Sequence, residues 1–541
     1  MLGSKWRRGL TGAVGLMLAL CGGALAQAAA PYAVAEKSVD QLQADMAAGR
    51  VTSESLVRAY LARIARVDRS GPALHSIIAL NPHALADARK LDAERKAGHL
   101  RGPLHGVPVL VKDNVETDDG TATTAGSLAL KDNVTHRDAP LVARLKAAGA
   151  VILGKTNLSE WANIRSDRSI SGWSGVGGLV KNPYALDRSA CGSSSGTGAA
   201  IAASLAAVGV GTETDGSVTC PSSINGLVGL KPTVGLISRT HVVPISHSQD
   251  TPGPMGRSVK DVAVMLSAMA GSDPADAATR DADSHKADYL AGLATADLKG
   301  KRLGVLTYAT GFSPKVDIEF AKAVEVLKAR GAVIVELKDY KPPEDLGDQE
   351  TAVLMSELKA DLNAYLATTP AAVKSRSLAA LIAFNDATPR EMSLFGQETF
   401  IVAEQTKGLD DPGYRKARTD SQRAAGPDGI DKLIADAHLD ALIAPSYGPA
   451  SRIDTVNGGW GGGRSSTLPA VSGYPHLTVP MGQVDGLPVG LSFIGPAWSE
   501  ARLLELGYAY EQASHARTPP TYRPSVETAP AALIAFAPAG R

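Results

Sequence analysis

The segment Cys191–Pro221, CGSSSGTGAAIAASLAAVGVGTETDGSVTCP, constrains this chain more than any other. A short Ser/Gly loop opens it, a run of Ala, Leu, Val and Ile follows, and a second Gly/Ser turn ends at Ser217. The apolar run reads as one buried helix between two serine loops. Glycines let backbones approach closely, so such loops can hold hydroxyls and bare N–H groups around a reacting atom. Either loop taken alone also fits a plain helix cap.

Length and charge narrow the possibilities. A chain of 541 residues with 44% hydrophobic and 20% charged residues has an ordinary globular balance. It is long enough to bury a large core without metals or bridges. Lys plus Arg and Asp plus Glu both number 55, so the formal charge is zero, which argues against a nucleic-acid partner.

Residues 1–26 read as a signal peptide rather than fold. Lys5, Arg7 and Arg8 precede 13 residues of apolar character, Gly9–Cys21, too few to span a bilayer. Ala24-Leu25-Ala26 fits a cleavage site, and Arg7-Arg8 hints at twin-arginine export. The mature chain is expected in the periplasm or outside the cell, with no membrane span after cleavage. Of three cysteines, Cys21 leaves with that segment. Cys191 and Cys220 remain, either bridged or as two buried thiols.

The pattern from residue 27 onward predicts one large α/β domain. Helical periodicity marks Val39–Arg66, Pro82–Lys96, Pro140–Ala148, Ser258–Ala270 and Glu500–Gln512. Strands are expected at Pro103–Val111, Gly149–Gly154, Ala441–Ala444, Leu477–Pro480 and Val489–Ile494. Arg302–Tyr308, Val316–Arg330 and Ala332–Leu337 read as a βαβ unit. Gly226–Leu236 reads as irregular chain, and residues 340–435 as a helical insertion. Strands alternating with helices point to a central sheet covered by helices on both sides.

Lys112 follows the apolar run Val107–Val111. A lysine there either snorkels to solvent or, if desolvated, loses its proton near neutrality and serves as a base. Gly192-Ser193-Ser194-Ser195-Gly196 matches the GxSxG elbow formally, with Ser194 as nucleophile and His438, His476 or His515 downstream. The polar stretch Tyr184–Ala190 before it lacks the strand that an elbow needs. No metal is called for: CxxC and HExxH are both absent. His105 is assigned to packing.

Taken together, these motifs resemble the amidase signature family. Pro103–Asn114 is similar to its lysine segment, Gly154–Ala162 to the next block, and Cys191–Pro221 to the signature. Gly226–Thr233, Gly253–Arg257, Val479–Gly482 and Gly486–Gly490 follow in family order. Ser169–Ser174 and GTETDGS at Gly211–Ser217 are most similar to bacterial peptide amidases. The resemblance implies the family's single large fold, with a mixed central sheet. It implies a Ser–cis-Ser–Lys triad: Ser217 as nucleophile, Ser193 as the bridging serine 24 residues earlier behind a cis peptide, and Lys112 as base. The N–H groups of Thr214, Asp215, Gly216 and Ser217 would form the oxyanion hole, with Ser194 supporting. Trp161, Ser171 and Trp173 are candidates for a substrate groove. The implied substrate is a peptide amide or small amide, hydrolysed without a cofactor by a monomer. The alternatives are a general aliphatic or aryl amidase and the ammonia-producing part of a glutamine-dependent amidotransferase. Asp215 stands where most of the family has glycine, and would steer a cationic substrate or brace the loop.

Overall fold

The computed structural model describes residues 32–458 and 462–527, so the expected signal peptide lies outside the described residues. One mixed sheet of 11 strands organises the chain. In chain order these are β1 (Ile77–Leu80), β2 (Pro108–Lys112), β3 (Val151–Thr156), β4 (Val208–Glu213), β5 (Val228–Lys231), β6 (Thr251–Gly256), β7 (Arg302–Val305), β8 (Val333–Glu336), β9 (Ala441–Pro445), β10 (His476–Val484) and β11 (Leu487–Ile494). Their order across the sheet is β1-β3-β2-β4-β6-β5-β10-β11-β9-β7-β8. β3, β2 and β4 run parallel, β6, β5, β10 and β11 pair antiparallel, and β9, β7 and β8 are parallel again.

The middle strands are buried along their whole length, so they read as continuous apolar runs rather than alternations. The helices that cover them bury apolar stripes. Ser53–Val67 presents Leu56, Val57, Tyr60 and Ile64 inward, and the Thr52 hydroxyl caps its first turn. The expected βαβ unit forms as β7, helix Pro314–Ala329 and β8. Residues 340–435 carry the helices Leu346–Ala367, Leu378–Asp386, Glu398–Glu404 and Pro412–Ala425. Among the described residues no helix is long and apolar enough to cross a membrane.

Two expectations need correction. The apolar run after the first serine loop is not one helix: Ser195–Ala202 is helical, and Val208–Glu213 becomes β4. Val208 and Val210 are β-branched and sit on a strand surface between β2 and β6. Gly226–Leu236 is not irregular throughout, because Val228–Lys231 forms β5 near the middle of the sheet. Its glycine is forced by close approach. A Cβ on Gly229 would collide with Ser222 Oγ.

Candidate active site

Lys112 ends β2 and is fully buried. Its Nζ lies 2.7 Å from Ser193 Oγ, 2.9 Å from Thr212 Oγ1 and 3.3 Å from the Thr212 carbonyl oxygen. Burial pushes its pKa down to about 7, against the opposing pull of the Asp250 and Glu213 carboxylates. The geometry suits a neutral amine. Once uncharged, it keeps two N–H donors for the two Thr212 acceptors and gains a lone pair that can accept from the Ser193 hydroxyl.

The strand end is locked from beneath. Asp113 and Lys155 form a buried ion pair at 3.4 Å. Lys155 also donates to the Val115 carbonyl at 2.7 Å and to Thr123 Oγ1 at 2.9 Å. Asn114 donates to Thr212 Oγ1 at 2.9 Å, so β2 and β4 are stitched together beside the amine.

The first serine loop contains a cis peptide between Gly192 and Ser193. Ser194 exchanges hydrogen bonds of 3.2 Å with the backbone N–H and carbonyl of Thr212, and its own N–H donates to the Ser217 carbonyl at 3.2 Å. Those contacts bind the two serine loops together. The elbow reading fails on the same observation. Among the described residues Ser194 has no imidazole partner, and His476 instead pairs with Ser492 at 2.6 Å.

Ser217 lies in the turn between β4 and the short helix Thr219–Ile224, and is 8% exposed. Its hydroxyl has no hydrogen-bond partner among the described residues, Ser193 included. The N–H groups of Thr214, Asp215, Gly216 and Ser217 likewise find no acceptor among the described residues. Four consecutive bare donors suit an oxyanion. By contrast the next two N–H groups, of Val218 and Thr219, are taken by the buried Glu213 carboxylate at 2.7 and 2.8 Å. Gly216 has φ +84°, and a Cβ there would run into the Tyr447 hydroxyl. Asp215 accepts from Thr467 Oγ1 at 3.1 Å and faces Arg464 at 3.7 Å.

A cavity of about 470 Å³ adjoins this turn, lined by Ser171, Cys191, Cys220, Tyr447 and Arg464 among others. Cys191 and Cys220 are joined by a disulfide, which resolves the alternatives the sequence left open. Trp161 and Trp173 do not line this cavity. Trp161 packs edge-on against Phe400 at 5.8 Å, and Trp173 against Phe395 at 5.3 Å. Ring area of that size is worth more in a core. His105 is buried, with Nε2 2.9 Å from the Leu91 carbonyl oxygen, in the packing role expected.

Sequence reasoning missed Thr212, Glu213, Gln249 and Asp250. Thr212 and Glu213 lie inside the quoted GTETDGS motif, where two polar side chains on a buried strand were a readable signal. Asp250 stands in no motif. It reaches Thr214 only through the fold, with Thr214 Oγ1 donating to Asp250 Oδ1 at 2.6 Å.

Known proteins share this arrangement of chain. The Amidase family model matches residues 55–504. The native peptide amidase of Stenotrophomonas maltophilia is 50% identical, with a TM-score of 0.85, covering 91% of this chain and 100% of that one. A peptide amidase in complex with the competitive inhibitor chymostatin is 51% identical, with a TM-score of 0.86 and the same 91% and 100% coverage. A glutamyl-tRNA(Gln) amidotransferase chain of Symbiobacterium thermophilum is 34% identical, covering 86% of this chain and 94% of its own. By fold, by matched span and by these identities, the chain belongs to the amidase signature family of amide-hydrolysing enzymes.

Proposed function

We propose that this enzyme is a serine amidase that hydrolyses the C-terminal carboxamide of peptides and releases ammonia through an acyl-enzyme. One observation carries the reading: a fully buried Lys112 with its pKa pushed down to about 7 stands 2.7 Å from Ser193 Oγ. Such an amine takes a proton near neutral pH without any imidazole.

Ser217 Oγ attacks the amide carbonyl carbon. Its proton passes to Ser193 Oγ, and the Ser193 proton passes to Lys112 Nζ. The relay requires the Ser217 hydroxyl to donate to Ser193 Oγ when substrate is bound. The carbonyl oxygen becomes an oxyanion facing the N–H groups of residues 214–217; loss of one such donor typically costs about 10²–10³ in rate. Lys112 then returns its proton through Ser193 to the amide nitrogen, the C–N bond breaks and ammonia leaves. Water repeats the sequence on the ester and frees Ser217.

The peptide preference is supported by the identity of about half to peptide amidases, one of them solved with chymostatin. Export and action as a monomer stay part of the proposal. A Cys191–Cys220 bridge beside the site suits an oxidising compartment.

The test is ammonia release from amidated dipeptides, free amino-acid amides and aliphatic amides, with wild type and Ser217→Ala. Amidated dipeptides are expected to lead. Equal turnover of all three classes would leave a general amidase, and activity surviving in Ser217→Ala would remove the nucleophile. The 34% identity to an amidotransferase chain sustains a second reading, in which ammonia from glutamine passes to a partner. Turnover by the isolated chain on peptide amides, with none on glutamine, rejects it.

A further inference from the structure

Thr214, at the start of the bare N–H turn, is held by a segment distant in sequence. Its hydroxyl donates to Asp250 Oδ1 at 2.6 Å, and Gln249 Nε2 reaches its carbonyl oxygen at 3.4 Å. The second Asp250 oxygen accepts the N–H groups of Ile245 and Ser246 at 2.7 and 2.9 Å. One buried carboxylate thus ties the turn to a loop, and the loop is fastened in its turn to helix Leu346–Ala367. Gln249 donates to Glu350 at 2.8 Å, Ser248 Oγ to Glu357 at 2.6 Å, and the His247 N–H to Asp361 at 2.8 Å. Positions 350, 357 and 361 share one face of that helix.

We propose that Asp250 is a positioning residue for the reaction: it holds Thr214 so that the N–H groups of residues 214–217 stay aimed at the reacting carbonyl, and its charge acts on the proton carried by Lys112. The second half rests on the reading of Lys112 as the base. Asp250 and Glu213 are the carboxylates whose charge favours protonated Lys112. Asp250 itself faces Thr214, the two loop amides and Arg239, and burial raises its pKa to about 6, so it is ionised at pH 8. Arg239 is engaged by Asp276 at 2.6 Å, and the charge of the buried Lys231 acts on Glu213. Removing the Asp250 charge therefore lets Lys112 lose its proton at lower pH, while releasing Thr214 slackens the turn.

The experiment is a pH profile of kcat and kcat/KM on an amidated dipeptide for wild type, Asp250→Asn, Thr214→Val and Thr214→Ser. Asp250→Asn is expected to lower kcat at least about tenfold with KM changed less than about threefold, since the lost interaction serves the transition state. It should also move the acid limb to lower pH. Thr214→Val should lower kcat without moving the acid limb, and Thr214→Ser should regain most of that loss. An acid limb unmoved in folded Asp250→Asn overturns the charge role. Wild-type kcat in Thr214→Val overturns the positioning role, and that comparison stands even if Asp250→Asn fails to fold. If Lys112→Ala keeps full activity, the fault lies with the base and not with Asp250.

Discussion

Lys112 Nζ and Ser193 Oγ meet at 2.7 Å where neither side chain is open to water. An amine in that position works only when uncharged. Its pKa of about 7 lies below the ordinary lysine value, so the neutral form accumulates as pH rises through neutrality. kcat/KM on a peptide amide should therefore climb along an acid limb centred near pH 7 and level off above it. Lys112→Arg, which holds its charge at every pH, should lose about 10²–10⁴ of the rate. A flat profile from pH 6 to 9 would remove Lys112 from the mechanism.

Gly216 tolerates no side chain. Its φ of +84° and the Tyr447 hydroxyl standing where a Cβ would go both oppose Gly216→Ala. The turn must shift, misaiming its donors, so kcat should fall by about 10² or more. Adding Tyr447→Phe clears the hydroxyl and should recover part of the loss. Wild-type kinetics for Gly216→Ala would show that this backbone does not face the reacting carbonyl.

The Cys191–Cys220 bridge closes a loop with a sequence separation of 29 residues. Loop-closure entropy for that length amounts to about 3–4 kcal/mol of stability. Cys220→Ser, or wild type under reductant, should lose about that much in denaturant unfolding. Thiol titration of the denatured, unreduced chain should find neither Cys191 nor Cys220 free. Two reactive thiols, or an unchanged midpoint, would contradict the bridge.

The Asp113–Lys155 pair is sealed at 1% and 0% side-chain exposure. Lys155→Ala strands a buried carboxylate and should destabilise by about 3–5 kcal/mol. Lys146→Ala breaks a pair that is 32% and 19% exposed, and should cost no more than about 1 kcal/mol. Equal melting temperatures for the two variants would argue that Asp113 is neutral without its partner.

The chemistry was more legible in the chain than the architecture around it. Lys112, Ser193 and Ser217 could be marked before any fold was known because the motifs around them resemble the amidase signature family; taken alone, the lysine also fits a snorkelling side chain and either serine loop a helix cap. Strand β5 could not, because its Gly229 exists for a contact with Ser222 that only the folded chain reveals. Trp161 and Trp173 suggested a groove by proximity in sequence, yet their rings turn to Phe400 and Phe395, more than 200 positions on. Asp250 and Glu350 were invisible for the same reason. A single acid carries no periodicity, and its partner lies on a remote element.

The parallel pairing of β2 with β4, Val109 opposite Val208 and Val111 opposite Val210, has a consequence for how this enzyme can vary. Successive strand residues point to opposite faces, so deleting one residue from β2 would swing the amine through to the far side of the sheet. Length is therefore the least forgiving property of this strand. Its apolar side chains can be exchanged for others of like volume, but a frame-preserving loss of one codon there would turn the amine away from the relay.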